Sequence, residues 1–195
     1  MQNPSSYKRI VIKVGSAVLA KPNGSLNRAI LSAISEDIAW LIKKNHEVLV
    51  VSSGAIALGR KRIKLSNTPT LSESQAMAAH GQIELMSAWK KNLTKFSIPI
   101  GQLLLTPRDT ELKISSDNAK QTISKLLEVG CLPIINENDS TATDEIKFGD
   151  NDLLAAKVAK LVKADLLIML SRVDGLHASE EDVKKNKHGS LIKEV

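Results

Sequence analysis

The chain has 195 residues, 43% hydrophobic and 25% charged, which excludes a disordered, collagen-like or fibrous protein. A net charge of +6 suits anionic ligands, but only 3% of residues are aromatic, too few to stack bases, so nucleic acid is not expected as a partner. No apolar run is long enough to cross a membrane, the opening MQNPSSYKRI lacks a signal-peptide core, and one cysteine, Cys131, points to a reducing, cytoplasmic setting.

In chain order, residues 9–15 (RIVIKVG) read as a strand. Asn27 is a candidate N-cap for a helix, because Ile30, Leu31, Ile34, Ile38, Leu41 and Ile42 then recur at helical spacing. Residues 48–53 (VLVVSS) read as a second strand and 72–94 as a helix. Residues 98–105 (IPIGQLLL) read as a third strand, followed by a helix over 115–129 that stops at Gly130. Residues 131–136 (CLPIIN) form the fourth, 151–162 (NDLLAAKVAKLV) another helix, and 166–170 the fifth strand. Runs of Val, Ile and Leu with little alternation suit strands buried on both faces. The expected fold is a single α/β domain, a three-layer α/β/α sandwich with a mostly parallel sheet. Its ligands would sit at the carboxyl ends of the strands.

Two nucleotide patterns fail. Gly54 and Gly59 have the gap of a Walker A loop, but Arg60 and Lys61 follow where Lys and Ser or Thr are required, and no G-x-G-x-x-G occurs. Four polar clusters remain at predicted strand ends. Lys13-Val14-Gly15-Ser16 offers a point charge beside a glycine that lets backbone N–H groups approach a phosphate; alone it reads as a solvated lysine. Ser52-Ser53-Gly54-Ala55-Ile56-Ala57 is a helix N-terminus facing an anion, or a simple serine cap. Asn136-Glu137-Asn138-Asp139-Ser140 follows a buried strand and is either a site or a turn. Gly149-Asp150-Asn151-Asp152 opens a helix with two carboxylates, which suit a cation or a cap. His46, His80, His177 and His188 are scattered, and no zinc spacing is present.

Charge follows the same division. Residues 1–64 carry 11 basic and 3 acidic side chains, and residues 136–152 carry 6 acidic and 1 basic. One half of the cluster set suits phosphate and the other a substrate ammonium. Phosphoryl transfer asks for this combination, since the protein mainly aligns the groups and neutralises charge.

The segments IVIKVGSAVL (10–19), VVSSGAIALG (50–59), GQLLLT (101–106), INENDSTATDEIKFGDND (135–152) and LLIMLSRVDGL (166–176) together resemble the amino-acid kinase family, and within it the glutamate 5-kinase branch. The resemblance runs from about residue 8 to the end of the chain. It implies ATP-dependent phosphorylation of the L-glutamate γ-carboxylate to L-glutamyl 5-phosphate, the first step of proline biosynthesis. It implies that Lys13 contacts the transferring phosphoryl group beside Gly15 and Ser16, with Gly54 against the phosphates. Ser53, Asp139 and Asn151 would bind glutamate, Asp139 facing its α-ammonium. Asp152 would orient Lys13, and Ser171 and Arg172 would contact ATP. Magnesium would come with the nucleotide, without a metal site of the protein's own.

The resemblance also implies proline as a feedback ligand and self-association into a homo-oligomer. Arg172 departs from the acidic residue that relatives carry there. The family domain is expected to continue past Val195 through a glycine-rich, lysine-bearing segment, and many members append a PUA domain. Residues 1–195 are therefore expected to be the substrate-binding portion, with the nucleotide half incomplete. The alternatives are the kinase portion of a bifunctional pyrroline-5-carboxylate synthase, or a non-catalytic glutamate- or proline-binding module.

Overall fold

Alternate side chains of the same strands feed two separate apolar cores, which is why the strand sequences are apolar at nearly every position. In the computed structural model, residues 7–63, 69–141, 150–173, 175 and 192 are described. The strands are β1 (Arg9–Val14), β2 (Glu47–Ser52), β3 (Ile100–Leu105), β4 (Leu132–Glu137) and β5 (Leu166–Leu170). They form one sheet in the order β3–β4–β2–β1–β5, and each of these pairings is parallel. The helices are α1 (Ser16–Leu19), α2 (Arg28–Lys43), α3 (Ala55–Arg62), α4 (Leu71–Leu93), α5 (Pro107–Glu111), α6 (Lys113–Glu128) and α7 (Asp150–Leu161).

Ile10, Ile12 and Val14 of β1 pack with Leu31 and Ile38 of α2 and with Leu85 and Trp89 of α4. Val11, between them in sequence, joins Ile123 of α6 and Leu154 and Val158 of α7 in the other core. The sheet is thus the middle layer of the expected α/β/α sandwich.

The layers also account for the path of the chain. Crossovers from β1 to β2 and from β2 to β3 move one way along the sheet through the α2–α4 layer. Those from β3 to β4 and from β4 to β5 move the other way through the α6–α7 layer. A single hand for every crossover requires this division. The outgoing connections of the neighbours β2 and β4 therefore part to opposite faces, and a crevice opens between their carboxyl ends.

Helix α4 is anchored tightly. Its Trp89 is fully buried, and the indole Nε1–H donates to Ser52 Oγ at 2.9 Å. Glycines let α3 and α4 approach at backbone distance: a Cβ at Gly59 would fall on the Met77 carbonyl, and one at Gly81 on the Ala55 carbonyl. The helix starts at a capping box, in which Thr70 Oγ1 accepts from the Glu73 N–H at 3.3 Å and Glu73 Oε2 accepts from the Thr70 N–H at 2.7 Å.

Two local expectations change. Asn27 does occupy the cap position of α2, but its side chain makes no cap bond. Its backbone is engaged instead, donating to the Leu19 carbonyl at 2.6 Å beside the antiparallel bridge between Ala20 and Leu26. The segment after Gly15, where no helix was expected, is the one-turn helix α1, closed by Val18 and Leu19 N–H donating to the Gly15 carbonyl. Gly130 ends α6 as expected, with φ of 72°.

Candidate functional site

Lys13 lies on the face of β1 that carries Val11, and it is only 6% exposed. Its ammonium pairs with the Asp152 carboxylate on the first turn of α7. Gly15 makes room for this: an added Cβ would stand 3.2 Å from Lys13 Nζ and 3.3 Å from the Leu170 carbonyl. The pair is asymmetric, a buried ammonium against a side chain about half exposed, so the aspartate faces the opening.

The next strand supplies the neighbouring wall. The Ser53 N–H donates to the Val14 carbonyl at 3.0 Å, which holds the end of β2 against the end of β1. Gly54 then turns the chain into α3 with φ of 111°, a left-handed conformation that favours glycine. The first intrahelical bond of α3 runs from Leu58 N–H to the Gly54 carbonyl, so the N–H groups before it lie at the positive end of the helix.

Across the crevice, amides link three elements. Asn136 at the end of β4 is buried; its Nδ2 donates to Gln82 Oε1 of α4 at 2.8 Å. Asn136 Oδ1 accepts from Asn151 Nδ2 at 3.0 Å and from the Glu137 N–H at 2.9 Å. Asp139 begins the 3-10 turn Asp139–Thr141 just beyond β4.

These groups share one cavity of about 800 Å³. Of the residues singled out in the sequence, Lys13, Gly15, Ser16, Ser53, Gly54, Asp139, Asn151 and Asp152 all line it. Ser171 and Arg172 do not: both are exposed, immediately past β5, although the Leu170 carbonyl accepts from the Gly15 N–H at 3.1 Å. Gly149, His177 and His188 lie outside the described residues. The other two histidines, which showed no partner in the sequence, each have one: His46 Nδ1 is 2.6 Å from the Tyr7 carbonyl, and His80 Nε2 is 3.9 Å from Glu84 Oε1.

Lys21, Arg60 and Lys61 line the same cavity and were missed. Arg60 and Lys61 had served only to reject a Walker A loop; their position about two turns beyond a strand-end glycine was the available signal. Among the described residues no group of three or more His, Cys, Asp or Glu stands together as a metal site.

Away from the cavity, Asp165 locks the turn between α7 and β5 onto the start of β1. Its Oδ2 accepts from Arg9 N–H at 2.7 Å and Lys8 N–H at 2.8 Å. The Arg9 and then the Lys8 N–H bonds hold its carboxyl below the usual aspartate range. Burial pushes the Cys131 thiol up, away from a reactive thiolate.

The sequence profile of the amino acid kinase family matches residues 8–195. The chain belongs to the amino acid kinase family. Among its relatives, a protein named glutamate 5-kinase from Allorhizobium ampelinum is 55% identical over 176 residues, covering 90% of this chain and 45% of the relative. One of the same name from Bradyrhizobium diazoefficiens is 50% identical over 190 residues, covering 96% of this chain and 50% of the relative. A third, from Rhizobium etli, is 52% identical over 181 residues, 92% of this chain and 46% of the relative. The chain thus spans about half the length of the curated relatives it matches. The parallel five-stranded α/β fold is consistent with that family, and no helix among the described residues is long and apolar enough to cross a membrane.

Proposed function

We propose that the protein transfers the γ-phosphoryl group of ATP to the side-chain carboxylate of L-glutamate, the first step of proline biosynthesis. A glutamate γ-oxygen attacks the γ-phosphorus, the bond to the β-phosphate bridging oxygen breaks, and L-glutamyl 5-phosphate and ADP form. The observation that carries the reading is the buried Lys13–Asp152 pair in a cavity that also presents Ser53, Gly54, Asp139 and Asn151.

Lys13 meets the negative charge on the migrating group from a fixed, poorly hydrated position, so its charge needs little reorganisation. Asp152 keeps the ammonium aimed along the crevice. Gly15, Ser16 and Gly54 give the phosphates backbone access, and Ser53, Asp139 and Asn151 hold the amino acid, with Asp139 toward its α-ammonium. Ser171 and Arg172 are assigned to the nucleotide by the family resemblance alone. The described residues form no magnesium cage, and magnesium reaches the site on the nucleotide's phosphates. We read residues 8–195 as the acceptor-binding portion of a kinase domain, with proline as a competing ligand and self-association in the assembled enzyme.

The test traps acyl phosphate as a hydroxamate, using protein expressed from its complete gene with ATP, magnesium and L-glutamate. Hydroxamate that requires both ATP and glutamate is the expected result. Its absence, in protein that is folded by circular dichroism, refutes the reading.

A further inference from the structure

The three linked amides have a direction, and that direction can be read without ambiguity. The O and N atoms of an Asn or Gln side chain are interchangeable until a neighbour of known polarity fixes them. Here the neighbour is the Glu137 backbone N–H, which can only donate and lies 2.9 Å from Asn136 Oδ1. Asn136 must therefore turn its Nδ2 to α4, where Gln82 Oε1 accepts at 2.8 Å, while Gln82 Nε2 is buried with no partner among the described residues. On the other side, Asn136 Oδ1 requires a donor, so Asn151 must turn its Nδ2 inward, at 3.0 Å. This leaves Asn151 Oδ1 on a residue of the cavity wall, buried and, among the described residues, without a hydrogen-bond partner.

An unsatisfied buried carbonyl in a cavity wall calls for a donor, and a cationic donor most of all. From these relations we infer that Gln82 is a positioning residue: by accepting from Asn136 Nδ2 it holds in place the orientation that the Glu137 N–H imposes on Asn136, and through it Asn151, so that the site presents an acceptor to an ammonium group on its substrate. Gln82 is itself 9% exposed and does not line the main cavity; it borders the adjoining one, which it shares with Asn136 and Asp139, and it reaches Asn151 through Asn136. Without its Oε1, Asn136 Nδ2 has no acceptor. The Asn136 side chain then gains by turning away, and Asn151 becomes free to offer either end. The inference rests on the proposed glutamate site and adds what selects the amino group there.

Titration calorimetry on the chain with L-glutamate and with glutarate, which lacks the amino group, tests it. The unmodified chain is expected to prefer glutamate. In Gln82→Leu that preference should shrink about tenfold, with glutarate affinity little changed, because one hydrogen bond to a charged group is lost. Gln82→Glu keeps an acceptor for Asn136 Nδ2 and should keep the preference. If Gln82→Leu retains the full preference, or weakens both ligands equally, the positioning role is overturned while the glutamate site stands. If the unmodified chain ignores glutamate, both fall. Should Gln82→Leu not fold, side-chain NMR of the unmodified chain decides. The Asn151 carbonyl carbon should shift on adding L-glutamate; a response of its NH₂ protons alone overturns the inference.

Discussion

The Lys13 ammonium leaves β1 inside the α6–α7 side of the sheet and meets its counter-ion, Asp152, on the first turn of α7. A buried ion pair is not in itself a reason for stability, since desolvating the lysine costs about what the pairing returns. Its retention beside a glycine that leaves it room argues for chemistry. Lys13→Met combined with Asp152→Asn, which removes both charges and leaves no carboxylate unpaired, should therefore leave the thermal midpoint unchanged or higher. Glutamate-dependent turnover should fall by about two orders of magnitude or more. Parallel calorimetric scans and hydroxamate assays make the comparison. A variant that loses stability in step with activity would mark Lys13 as structural instead.

The sheet was legible because its strands are buried on both faces, and that burial writes itself as unbroken runs such as VLVV and IVIKV. The site was legible where a polar cluster follows such a run, as at Ser53-Gly54 and after Ile135. What escaped was contact between residues distant in sequence. Gln82 sits mid-helix in α4 among apolar neighbours, and nothing local says that Asn136 will lie against it. Gly59 and Gly81 are each where one helix backbone touches another, a contact that no local pattern announces. The short helix α5 was missed although TPRD carries its signature, Pro107 at the first turn and Asp109 accepting from the Thr106 N–H at 2.7 Å. Ser171 and Arg172 were placed by resemblance alone; both are exposed just past β5 and neither lines the cavity.

Gly54 is expected to be intolerant of a side chain for conformational and not spatial reasons. An added Cβ there meets only Leu19 Cβ at 3.8 Å and Ser16 Cα at 4.0 Å, which is ordinary contact, but φ is 111°. Gly54→Ala should cost about 1–2 kcal/mol in urea unfolding. If the turn relaxes to avoid the strain, the start of α3 rotates away from the cavity. Nucleotide-dependent turnover would then fall further than the stability loss explains. Unchanged unfolding free energy would show that the left-handed turn is not retained in solution.

Gly81→Ala is the opposite case. Its Cβ would overlap the Ala55 carbonyl, a backbone atom that no rotamer change can move aside. Relief requires α3 and α4 to separate, which overpacks the surrounding core at a cost of about 1–3 kcal/mol. Because Ala55 directly follows Gly54, the displacement reaches the cavity wall. Denaturant unfolding should register the loss, and the mutant's affinity for glutamate should weaken with it. A stability close to that of the unmodified chain would mean that the two helices are packed less closely than described.

Asp165 yields a prediction about acid. Its carboxylate accepts from the Arg9 and Lys8 N–H groups, and its folded pKa is therefore lowered from the ordinary 3.8. A group whose pKa falls on folding stabilises the folded state fully above its unfolded pKa, and that contribution drains away as pH drops toward the folded value. Asp165→Asn retains an oxygen acceptor but carries no charge. The stability gap between the unmodified chain and Asp165→Asn should be constant at pH well above 3.8 and should close below it. Urea unfolding from neutral pH down to about pH 3 would trace it. The side chain is open to solvent, so salt should narrow the gap without removing it, because the two backbone hydrogen bonds are short-range contacts that screening leaves in place. A gap that stays constant through the acid range would mean that the carboxylate is not held by those N–H groups in solution.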